Sequence, residues 1–453
     1  MAEVTTASSA LPRGAVLRPR TAARIVLSAL FAANVVVVTA LFAASGPSSN
    51  ALVSLGRLTG LYGALLMAFQ LLLVARLPWV DRRLGMDRLT SWHRLLGFGL
   101  VWTLTGHAVF IVFGYAAVEN TGPIDQLGTL ITTMEDVLRA VVALVLILVV
   151  GGLSARYARR RLAYETWHFT HLYTYLAVVL AFGHQVAVGE TFVDSAPARA
   201  YWWTLWGVAL GAVVAGRVVL PLRRNLKHRF RVSAVVPESP DVVSVHITGE
   251  KLDELPVRAG QFFLWRFLSR DRWWQANPFS LSAAPDGRSL RLTAKAVGPG
   301  SAGLRGLRPG TRVFAEGPYG AFTTAHQTRG NALLIAGGVG ITPIRALLEE
   351  ISGHVVLLYR VRSETDAVLM AELTAIARTR GAVLRLLTGP SDQDGPNGPV
   401  LGPRNLAALV PDVADRDVFV CGPPGMTKAA VRGLKELGLP AAQVHAERFS
   451  LAG

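Results

Sequence analysis

The chain has almost no cysteine, since Cys421 is the only one among 453 residues. One cysteine excludes disulfides within the chain, a four-cysteine zinc site and a cysteine-ligated iron–sulfur cluster. Charged residues are also scarce, at 17%, compared with roughly 25% in soluble globular proteins. Because 51% of the residues are apolar, we expect a chain that is at least partly embedded in a membrane.

Acidic residues are few relative to basic ones, 30 against 46, which gives a net charge of +16. The first half contains six apolar segments, most of them close to the roughly 20 residues that span a bilayer. These segments are residues 25–44, 58–75, 95–115, 137–153, 169–188 and 200–220. The first is longer than the usual signal-peptide core, which favours a retained helix over a cleaved leader.

Arginines cluster before the first segment, between the second and third, between the fourth and fifth, and after the sixth. The alternate connections, which include residues 114–136 without any Lys or Arg, carry almost no cations and are predicted to lie on the outer side. This positive-inside pattern predicts a six-span protein of the cell membrane with both termini on the cytoplasmic side. The pattern explains the basic charge without a nucleic-acid partner.

The second half changes to short alternating strands from about residue 226, which predicts a small antiparallel barrel. From about residue 331 strands alternate with helices, which predicts a parallel α/β sheet. We therefore expect a disordered basic tail at 1–21, a helical membrane domain at 22–222, a β-barrel domain at 226–325 and an α/β domain at 326–453. Both soluble domains are predicted to be cytoplasmic.

Four histidines fall in two of the apolar segments. His93 and His107 are fourteen residues apart on the third, and His171 and His184 are thirteen apart on the fifth. At about 1.5 Å per residue these separations are roughly 21 and 19.5 Å, so the histidines form two layers. Paired imidazoles at two depths suit two six-coordinate haems. The absence of a C-x-x-C-H motif makes them non-covalent, b-type haems.

Several alternatives concern the membrane segments. The histidines could be structural or form a proton relay, and His168 is a rival ligand. His184 lies about 140° from His171 around an ideal helix, so the fifth segment requires a kink or π-type turn, or the haems are rotated relative to each other. Arg57 and Arg94 are candidate partners of haem propionates, or ordinary lipid headgroup contacts.

The segment Asn277-Pro-Phe-Ser280 ends a strand in a way that suits a flavin. Phe279 offers a flat apolar wall and Ser280 a hydroxyl near the reactive ring. Downstream, a segment with small residues, a cation and a hydroxyl could approach a diphosphate. Its candidate contacts are Lys295, Gly298 and Ser301.

A hydrophobic strand followed by glycines and a helix predicts a nucleotide diphosphate site. The contacts predicted there are Gly337, Gly338, Gly340, Thr342 and Pro343. The dehydrogenase-type G-x-G-x-x-G fingerprint is absent. After the next strand, Arg360 and Arg362 lie where a 2′-phosphate would bind, which favours NADPH over NADH.

Together with V-C-G-P-P-G-M at 420–426 and E-R-F at 447–449, these motifs resemble those of the NADPH oxidase and ferric reductase superfamily. The likeness covers about residues 22–450 and is greatest to compact bacterial members, whose soluble half is similar to ferredoxin–NADP reductase. It implies FAD bound by Pro278, Phe279, Ser280, Gly298 and Ser301. It also implies a nicotinamide nucleotide bound by Gly338, Gly340, Thr342, Cys421, Gly422 and the adjacent Pro423.

The resemblance further implies that Phe449 covers the flavin, so that Ser280, Cys421 and Phe449 would lie at the reacting rings. One departure is that Asn277 stands where the family usually has histidine or arginine, which removes a cationic contact to the flavin diphosphate. FAD binding is therefore expected to be weaker.

The expected function is electron transfer from NADPH through FAD and two haems to an acceptor outside the membrane. Dioxygen, giving superoxide, is the preferred acceptor, and a ferric chelate, giving ferrous iron, is the alternative. No obligatory protein partner is predicted. Two functions of other classes stay open: a non-enzymatic haem-binding or sensor protein, and a membrane-tethered flavin reductase that serves a cytoplasmic protein.

Overall fold

The computed structural model describes residues 19–48, 50–155, 161–162, 164–193, 195–390, 394–395 and 398–448. Its first half is helical. The helices are α1 Pro19–Ser45, α2 Ala51–Leu73, α3 Pro78–Leu84, α4 Met86–Glu119, α5 Pro123–Thr133, α6 Val137–Ser154, α7 Tyr164–Ala187, α8 Ala196–Val214 and α9 Leu220–His228. A short turn at Glu190–Val193 precedes α8, and a π-helical segment at Ala215–Val219 joins α8 to α9.

Within the described residues, five helical stretches are long and apolar enough to cross a bilayer. They lie in α1, α2, α4, α6 and the continuous stretch from α8 to α9. The predicted fifth segment does form a helix, α7, of 24 residues. It is not among the five, because its first half, YETWHFTHLYTY, is rich in polar and aromatic residues.

Three local predictions differ from the structure. Helix α1 begins at Pro19, inside the predicted tail, whose residues 1–18 lie outside the described part. The predicted outer connection 114–136 contains the amphipathic helix α5. Of the two alternatives for the fifth segment, the π-type turn is not seen, because α7 is assigned as α-helix from Tyr164 to Ala187, and rotation of the two haems stays a prediction; a π-helical turn lies instead in the last apolar segment.

The helices pack mainly in pairs. Helix α2 packs on α4, α6 packs on α7, and α8 packs on α2. Trp202 and Trp206 of α8 are fully buried, with Trp202 stacked on Phe192 and Trp206 edge-on to Phe182 of α7. Asn50 begins α2, and its side chain accepts hydrogen bonds from the amides of Leu52 at 2.8 Å and Val53 at 3.3 Å.

Two three-stranded antiparallel sheets follow the helices. Their strands are β1 Arg231–Ser239, β2 Val242–Thr248, β3 Phe262–Phe267, β4 Asn277–Ser280, β5 Ser289–Lys295 and β6 Val313–Tyr319, in the orders β1-β2-β5 and β4-β3-β6. Alternate apolar residues of both sheets, such as Val245 and Trp265, share one core. Isolated bridges link the sheets at Arg231–Arg312 and Leu281–Leu292. The antiparallel prediction is confirmed, but a closed barrel is not.

The last part is a five-stranded parallel sheet with the order β13-β12-β7-β8-β9. Its elements are β7 Asn331–Gly337, α10 Ile341–Glu350, β8 Val355–Arg360, α11 Met370–Arg380, β9 Val383–Leu387, the short hairpin β10 Asp394–Gly395 and β11 Gly398–Pro399, α12 Pro403–Leu409, β12 Arg416–Gly422, α13 Pro424–Glu436 and β13 Val444–Arg448. The predicted parallel α/β sheet is confirmed. The chain leaves β7 towards β8 and returns to β12 on its other side, so a crevice forms at the carboxyl ends of β7 and β12.

Candidate functional site

The structure brings the four membrane histidines together as two pairs. The rings of His93 and His171 are 5.9 Å apart between centroids, at an interplanar angle of 70°. The rings of His107 and His184 are 6.2 Å apart, at 57°. Each pair joins α4 to α7, which otherwise pack chiefly on α2 and α6. The histidines therefore meet across a gap between two helix pairs.

One ring in each pair is held by a hydrogen bond through Nδ1. His107 Nδ1 donates to the carbonyl of Gly56 at 2.7 Å, and His171 Nδ1 is hydrogen-bonded to the hydroxyl of Ser154 at 3.3 Å. Trp167 stacks on His171, with 5.1 Å between ring centroids. The carbonyl at Nδ1 of His107 fixes the tautomer of that ring and leaves its Nε2 available to a metal, whereas the Ser154 hydroxyl holds the orientation of the His171 ring.

The other ring in each pair has a buried Nδ1 without a hydrogen-bond partner in the described part of the chain; these rings are His93 and His184. Buried polar atoms are normally hydrogen-bonded. Two facing imidazoles at each of two levels, with free nitrogens on both sides, fit two haems with bis-histidine ligation.

Close packing of α2 on α4 sets the position of His107. A Cβ at Gly60 would lie only 2.6 Å from the Nδ1 of His107, and a Cβ at Gly63 only 2.5 Å from a methyl group of Leu104. Glycine at these two positions lets the helices approach until Gly56 can accept the hydrogen bond from His107. The geometry of the layer formed by His107 and His184 therefore depends on small residues of α2.

The two arginines predicted near the haems have different surroundings. Arg57 follows Gly56 on α2 and donates to the hydroxyl of Ser45 at 3.0 Å and to the carbonyl of Gly46 at 3.3 Å. It is therefore anchored to the end of α1, near the level of His107. Arg94 is exposed on α4 beside His93.

The antiparallel module is fixed to the helices through β6 and the turn after it. Glu316 of β6 is buried and pairs with Arg76, which follows α2, at 2.9 Å, and also with Arg266 of β3. Asp81 of α3 accepts a hydrogen bond from the amide of Gly320 at 2.5 Å. Asn225 of α9 is hydrogen-bonded to the backbone of Ala315. These contacts lie at the ends of α2, α3 and α9, on the His93 side of the bundle.

The predicted flavin residues lie on two neighbouring stretches of this module. Pro278, Phe279 and Ser280 belong to β4, which pairs with β3 so that Phe279 lies opposite Phe263. The carbonyl of Phe279 accepts a hydrogen bond from the indole of Trp265 at 3.0 Å, and Ser280 is buried. These contacts hold the flavin strand in one register.

The predicted diphosphate turn is shaped by Ser301, whose hydroxyl accepts from the amides of Val297 at 3.0 Å and Gly298 at 3.3 Å. Lys295, at the end of β5, is instead paired with Asp241 at 3.0 Å. The turn therefore has the predicted small residues, but the predicted cation, Lys295, is paired with a carboxylate at the end of its strand.

The predicted nucleotide residues converge at the crevice between β7 and β12. There is no room for a Cβ at Gly340, because the carbonyl of Cys421 and the Cα of Gly422 occupy that position. Gly337 lies against Pro423, and Gly338 has a positive φ of 51°. Two parallel strands and the start of α10 meet at one edge.

Three further side chains line the same edge. Thr342, in the first turn of α10, donates to the carbonyl of Val339 at 3.0 Å, and Pro343 follows it in the helix. Cys421 is fully buried, and burial raises the pKa of its thiol well above the ordinary value. The thiol therefore stays neutral and offers a small polarisable wall rather than a nucleophile.

The two arginines predicted to bind a 2′-phosphate differ. Arg360 directs its guanidinium to backbone carbonyls, those of Leu387 at 3.3 Å and Pro390 at 2.5 Å. Arg362 is exposed. Phe449 lies outside the described residues, and β13 ends at Arg448, which pairs in register with Gly422.

Two domain families match the chain. The family "Ferric reductase like transmembrane component" matches residues 59–182, and the family "Oxidoreductase NAD-binding domain" matches residues 334–432. A ferredoxin–NADP reductase B of Sorangium cellulosum (strain So ce56) is 34% identical over 189 residues, which are 38% of this chain and 77% of that protein. The chain therefore contains a ferric reductase-like transmembrane domain and belongs, through its second half, to the ferredoxin–NADP reductase family.

Other relatives of this ferric reductase-like protein are also oxidoreductases. The ferredoxin reductase component of a Rhodococcus rhodochrous 3-ketosteroid-9-alpha-monooxygenase is 32% identical over 236 residues, 49% of this chain, and the chain spans 65% of its length. The crystal structure of the flavohem-like FAD/NAD binding domain of a Vibrio cholerae O1 biovar El Tor nitric oxide dioxygenase is 25% identical. It aligns with 49% of this chain and 99% of that chain, with a TM-score of 0.41.

The family assignment has direct consequences for the ferric reductase-like protein. It is an oxidoreductase and a membrane protein, and its reductase-type module implies binding of FAD and of a nicotinamide nucleotide. The resemblance inferred from the sequence is therefore confirmed.

Some residues that position the site of the ferric reductase-like protein were not found from its sequence. Gly56 and Ser154 orient two of the histidines, and Asn225 and Glu316 attach the module. The glycine spacing in LGRLTGLYG, with small residues every three or four positions, was an available signal for close packing of α2. The contacts of Ser154, Asn225 and Glu316 join parts of the chain distant in sequence and have no comparable local signal.

Proposed function

We propose that this protein transfers electrons from cytoplasmic NADPH across the cell membrane to a small acceptor on its outer face, with dioxygen, giving superoxide, as the preferred acceptor. The observation that carries the proposal is the pair of histidine pairs at two levels between α4 and α7. FAD supplies the conversion of a two-electron donor into one-electron steps, and two b-type haems supply a one-electron relay.

The four histidines hold the haems in this proposal. His107 presents Nε2 with its tautomer fixed by the carbonyl of Gly56, and the hydroxyl of Ser154 holds the ring of His171 in place. His93 and His184 complete the two layers from the opposite helix. Arg57 and Arg94 are assigned to the propionates, where a guanidinium can pair with a carboxylate inside or at the margin of the bilayer.

The orientation in the membrane follows from the cations and the module. We assign six spans, with α7 as the fifth because it carries two of the four histidines. The arginine-rich connections and the attachment of the module through Arg76, Asp81 and Asn225 support our assignment of the module and both termini to the cytoplasmic side. The membrane domain is assigned to 22–222, the FAD domain to 226–325 and the nucleotide domain to 326–453.

The module residues bind and orient the two soluble partners. Phe279 and Ser280 hold the flavin ring, and the turn from Gly298 to Ser301 holds its diphosphate. The edge formed by Gly337, Gly338, Gly340, Thr342 and Pro343 holds the nucleotide diphosphate, with Cys421, Gly422 and Pro423 beside the nicotinamide. Phe449 is assigned to the open face of the flavin, and Arg362 to the 2′-phosphate of NADPH.

A reduced-minus-oxidised spectrum of the purified full-length protein tests the haem assignment. A bis-imidazole b-type signal with two haems per chain is the expected result. A spectrum without this signal contradicts transmembrane electron transfer. Flavin reduction by NADPH in such a haem-free protein would favour a tethered flavin reductase that serves a cytoplasmic partner.

The acceptor is tested with the protein reconstituted in vesicles with the module outward and NADPH added outside. Superoxide produced in the lumen under air supports dioxygen. Fast reduction of luminal ferric citrate under nitrogen, together with negligible superoxide under air, would contradict dioxygen and identify a ferric-chelate reductase. A protein with both haems but without NADPH oxidation on either acceptor would contradict the enzymatic assignment and favour a haem-binding or sensor role.

A further inference from the structure

Arg272 lies in the loop between β3 and β4, and its guanidinium is mostly buried. The side chain is 13% exposed, and Nη1 has no hydrogen-bond partner in the described part of the chain. Its Nη2 lies 3.3 Å from Asp271, a carboxylate that is itself 69% exposed. Because an uncompensated buried charge is costly, a buried guanidinium normally has good partners on several of its N–H groups. The unpaired Nη1 therefore indicates an anion that binds here.

The surroundings of Arg272 indicate which anion. Its guanidinium packs directly on Gly303, where it leaves no room for a Cβ. Asn277 lies against Gly300 of the same segment, with its Oδ1 3.3 Å from the position that a Cβ would take there. Arg272 and Asn277 therefore flank one turn, the turn that Ser301 shapes with its two hydrogen bonds from Val297 and Gly298.

The other polar side chains at this turn do not bring a free positive charge. Asn277 is neutral, and its Nδ2 makes only long contacts of 3.4 Å to the carbonyls of Trp265 and Gln275. Lys295 is paired with Asp241. Arg272 is thus the cation placed against the turn with donors to spare, and a guanidinium matches phosphate oxygens in a bidentate geometry.

We infer that Arg272 binds the diphosphate of FAD and supplies the positive charge that Asn277 lacks. The inference rests on the proposed function, in which the turn from Gly298 to Ser301 holds that diphosphate. It reverses the expectation of weak FAD binding, because the cation reaches the turn from five residues earlier in the chain. It also requires that Arg272 act on the phosphates and not on the isoalloxazine ring.

The test is titration of the detergent-purified full-length protein, after removal of its flavin, with FAD and with riboflavin, which has no phosphate. Arg272→Met is expected to weaken FAD binding by about tenfold to a hundredfold and to change riboflavin binding less than about twofold. Arg272→Lys is expected to restore part of the FAD affinity as a point charge. The matched control is Arg270→Met, which removes the same charge from an exposed side chain two residues away.

Thermal melting without flavin separates a binding effect from misfolding. Arg272→Met is expected to melt at or above the temperature of the unsubstituted protein, because it removes a mostly buried charge whose carboxylate partner, Asp271, is largely exposed. Addition of saturating FAD is then expected to raise its melting temperature less than that of the Arg270→Met variant.

Three results would overturn the inference. They are FAD binding by Arg272→Met within twofold of the unsubstituted protein, equal losses of FAD and riboflavin affinity, or an equal loss of FAD affinity in Arg270→Met. If any of these occurs while the unsubstituted protein still reduces its haems with NADPH, the inference fails and the proposed function stands. If the unsubstituted protein binds no FAD, the flavin step of the proposed function fails as well.

Discussion

Asn225 of α9 is paired with the backbone of Ala315 in β6 as a neighbouring strand would be. Its Nδ2 donates to the carbonyl of Ala315 at 2.9 Å, and its Oδ1 accepts from the amide of the same residue at 2.8 Å. Strand β6 is at the edge of its sheet, so this side chain satisfies backbone groups that an open edge would expose. The side-chain amide of Asn225 therefore joins α9 to the edge of the antiparallel module, beside the hydrogen bond from Arg224 to the carbonyl of Gly317.

Replacement of Asn225 by leucine keeps most of the volume but removes both hydrogen bonds. We expect reduction of haem by NADPH to slow by about tenfold, because two backbone groups lose partners and the module shifts relative to the helices. Stopped-flow absorbance of the haem bands measures the rate. Reduction of ferricyanide by the module's own flavin serves as the control, and an equal slowing of both reactions would contradict a role in docking.

Removal of one predicted haem ligand is expected to remove one haem. His93→Leu and His184→Leu should each retain about one of the two haems, because each acts on a different layer. His168→Leu is the matched control from the same helix as His184, and it should retain both. The haem-to-protein ratio of each variant measures the number of haems retained. Loss of a haem from His168→Leu would instead identify His168 as a ligand.

Substitutions of the two arginines at the end of β8 and just after it, Arg360 and Arg362, are expected to have different effects. Arg362→Ala should raise the KM for NADPH by about tenfold or more, the loss expected for one charge-assisted phosphate contact, and leave the KM for NADH unchanged. Arg360→Ala should mainly lower the melting temperature, because its guanidinium satisfies the carbonyls of Leu387 and Pro390. If only Arg360→Ala changed the ratio of the KM values for NADPH and NADH, Arg360 rather than Arg362 would be the residue that contacts the 2′-phosphate.

Asp417 and His445 form a fully buried pair below the nucleotide edge, with 2.8 Å between Oδ1 and Nε2. Burial alone would raise the pKa of Asp417, but hydrogen bonds from His445 and the amides of Thr328 and Arg329 outweigh it and lower the pKa. Asp417 therefore stabilises the fold fully above its unfolded pKa of about 3.9. This contribution is lost as the pH falls through the lower folded pKa.

Asp417→Asn is expected to lower the free energy of unfolding by about 3–5 kcal/mol at neutral pH, as for other broken buried pairs. It is also expected to reduce the loss of stability on acidification. Melting temperatures between pH 7 and pH 3 measure both effects. Asp415→Asn is the control, at an exposed position just before β12, and should change the free energy of unfolding by less than about 0.5 kcal/mol. If Asp417→Asn loses as much stability between pH 7 and pH 3 as the unsubstituted protein, protonation of Asp417 does not cause that loss.

The pairing of the histidines could be anticipated because helical rise alone puts residues thirteen and fourteen apart at matching depths. Helical rise did not decide between an irregular fifth helix and two haems rotated relative to each other, since ring orientation depends on side-chain rotation as well as on position around the helix; α7 is assigned as a regular α-helix, and the rotation of the haems stays a prediction. The sequence also places Arg360 and Arg362 at the end of one strand. It does not show that Arg360 is hydrogen-bonded to the carbonyls of Leu387 and Pro390, which lie about thirty residues later in the chain. Helix α5 was missed because its short amphipathic pattern lies within a segment identified only by its charges.

The sheet β4-β3-β6 has a mechanical consequence for electron transfer. Its β6 edge is attached to the membrane helices, and its β4 edge carries the proposed flavin contacts, so the two lie apart by two strand spacings, about 10 Å. Backbone hydrogen bonds rather than side chains set this width. Side-chain substitutions on the sheet are therefore expected to leave the spacing between the helix attachment and the proposed flavin contacts unchanged, whereas a bulge introduced into the middle strand β3 is expected to alter it.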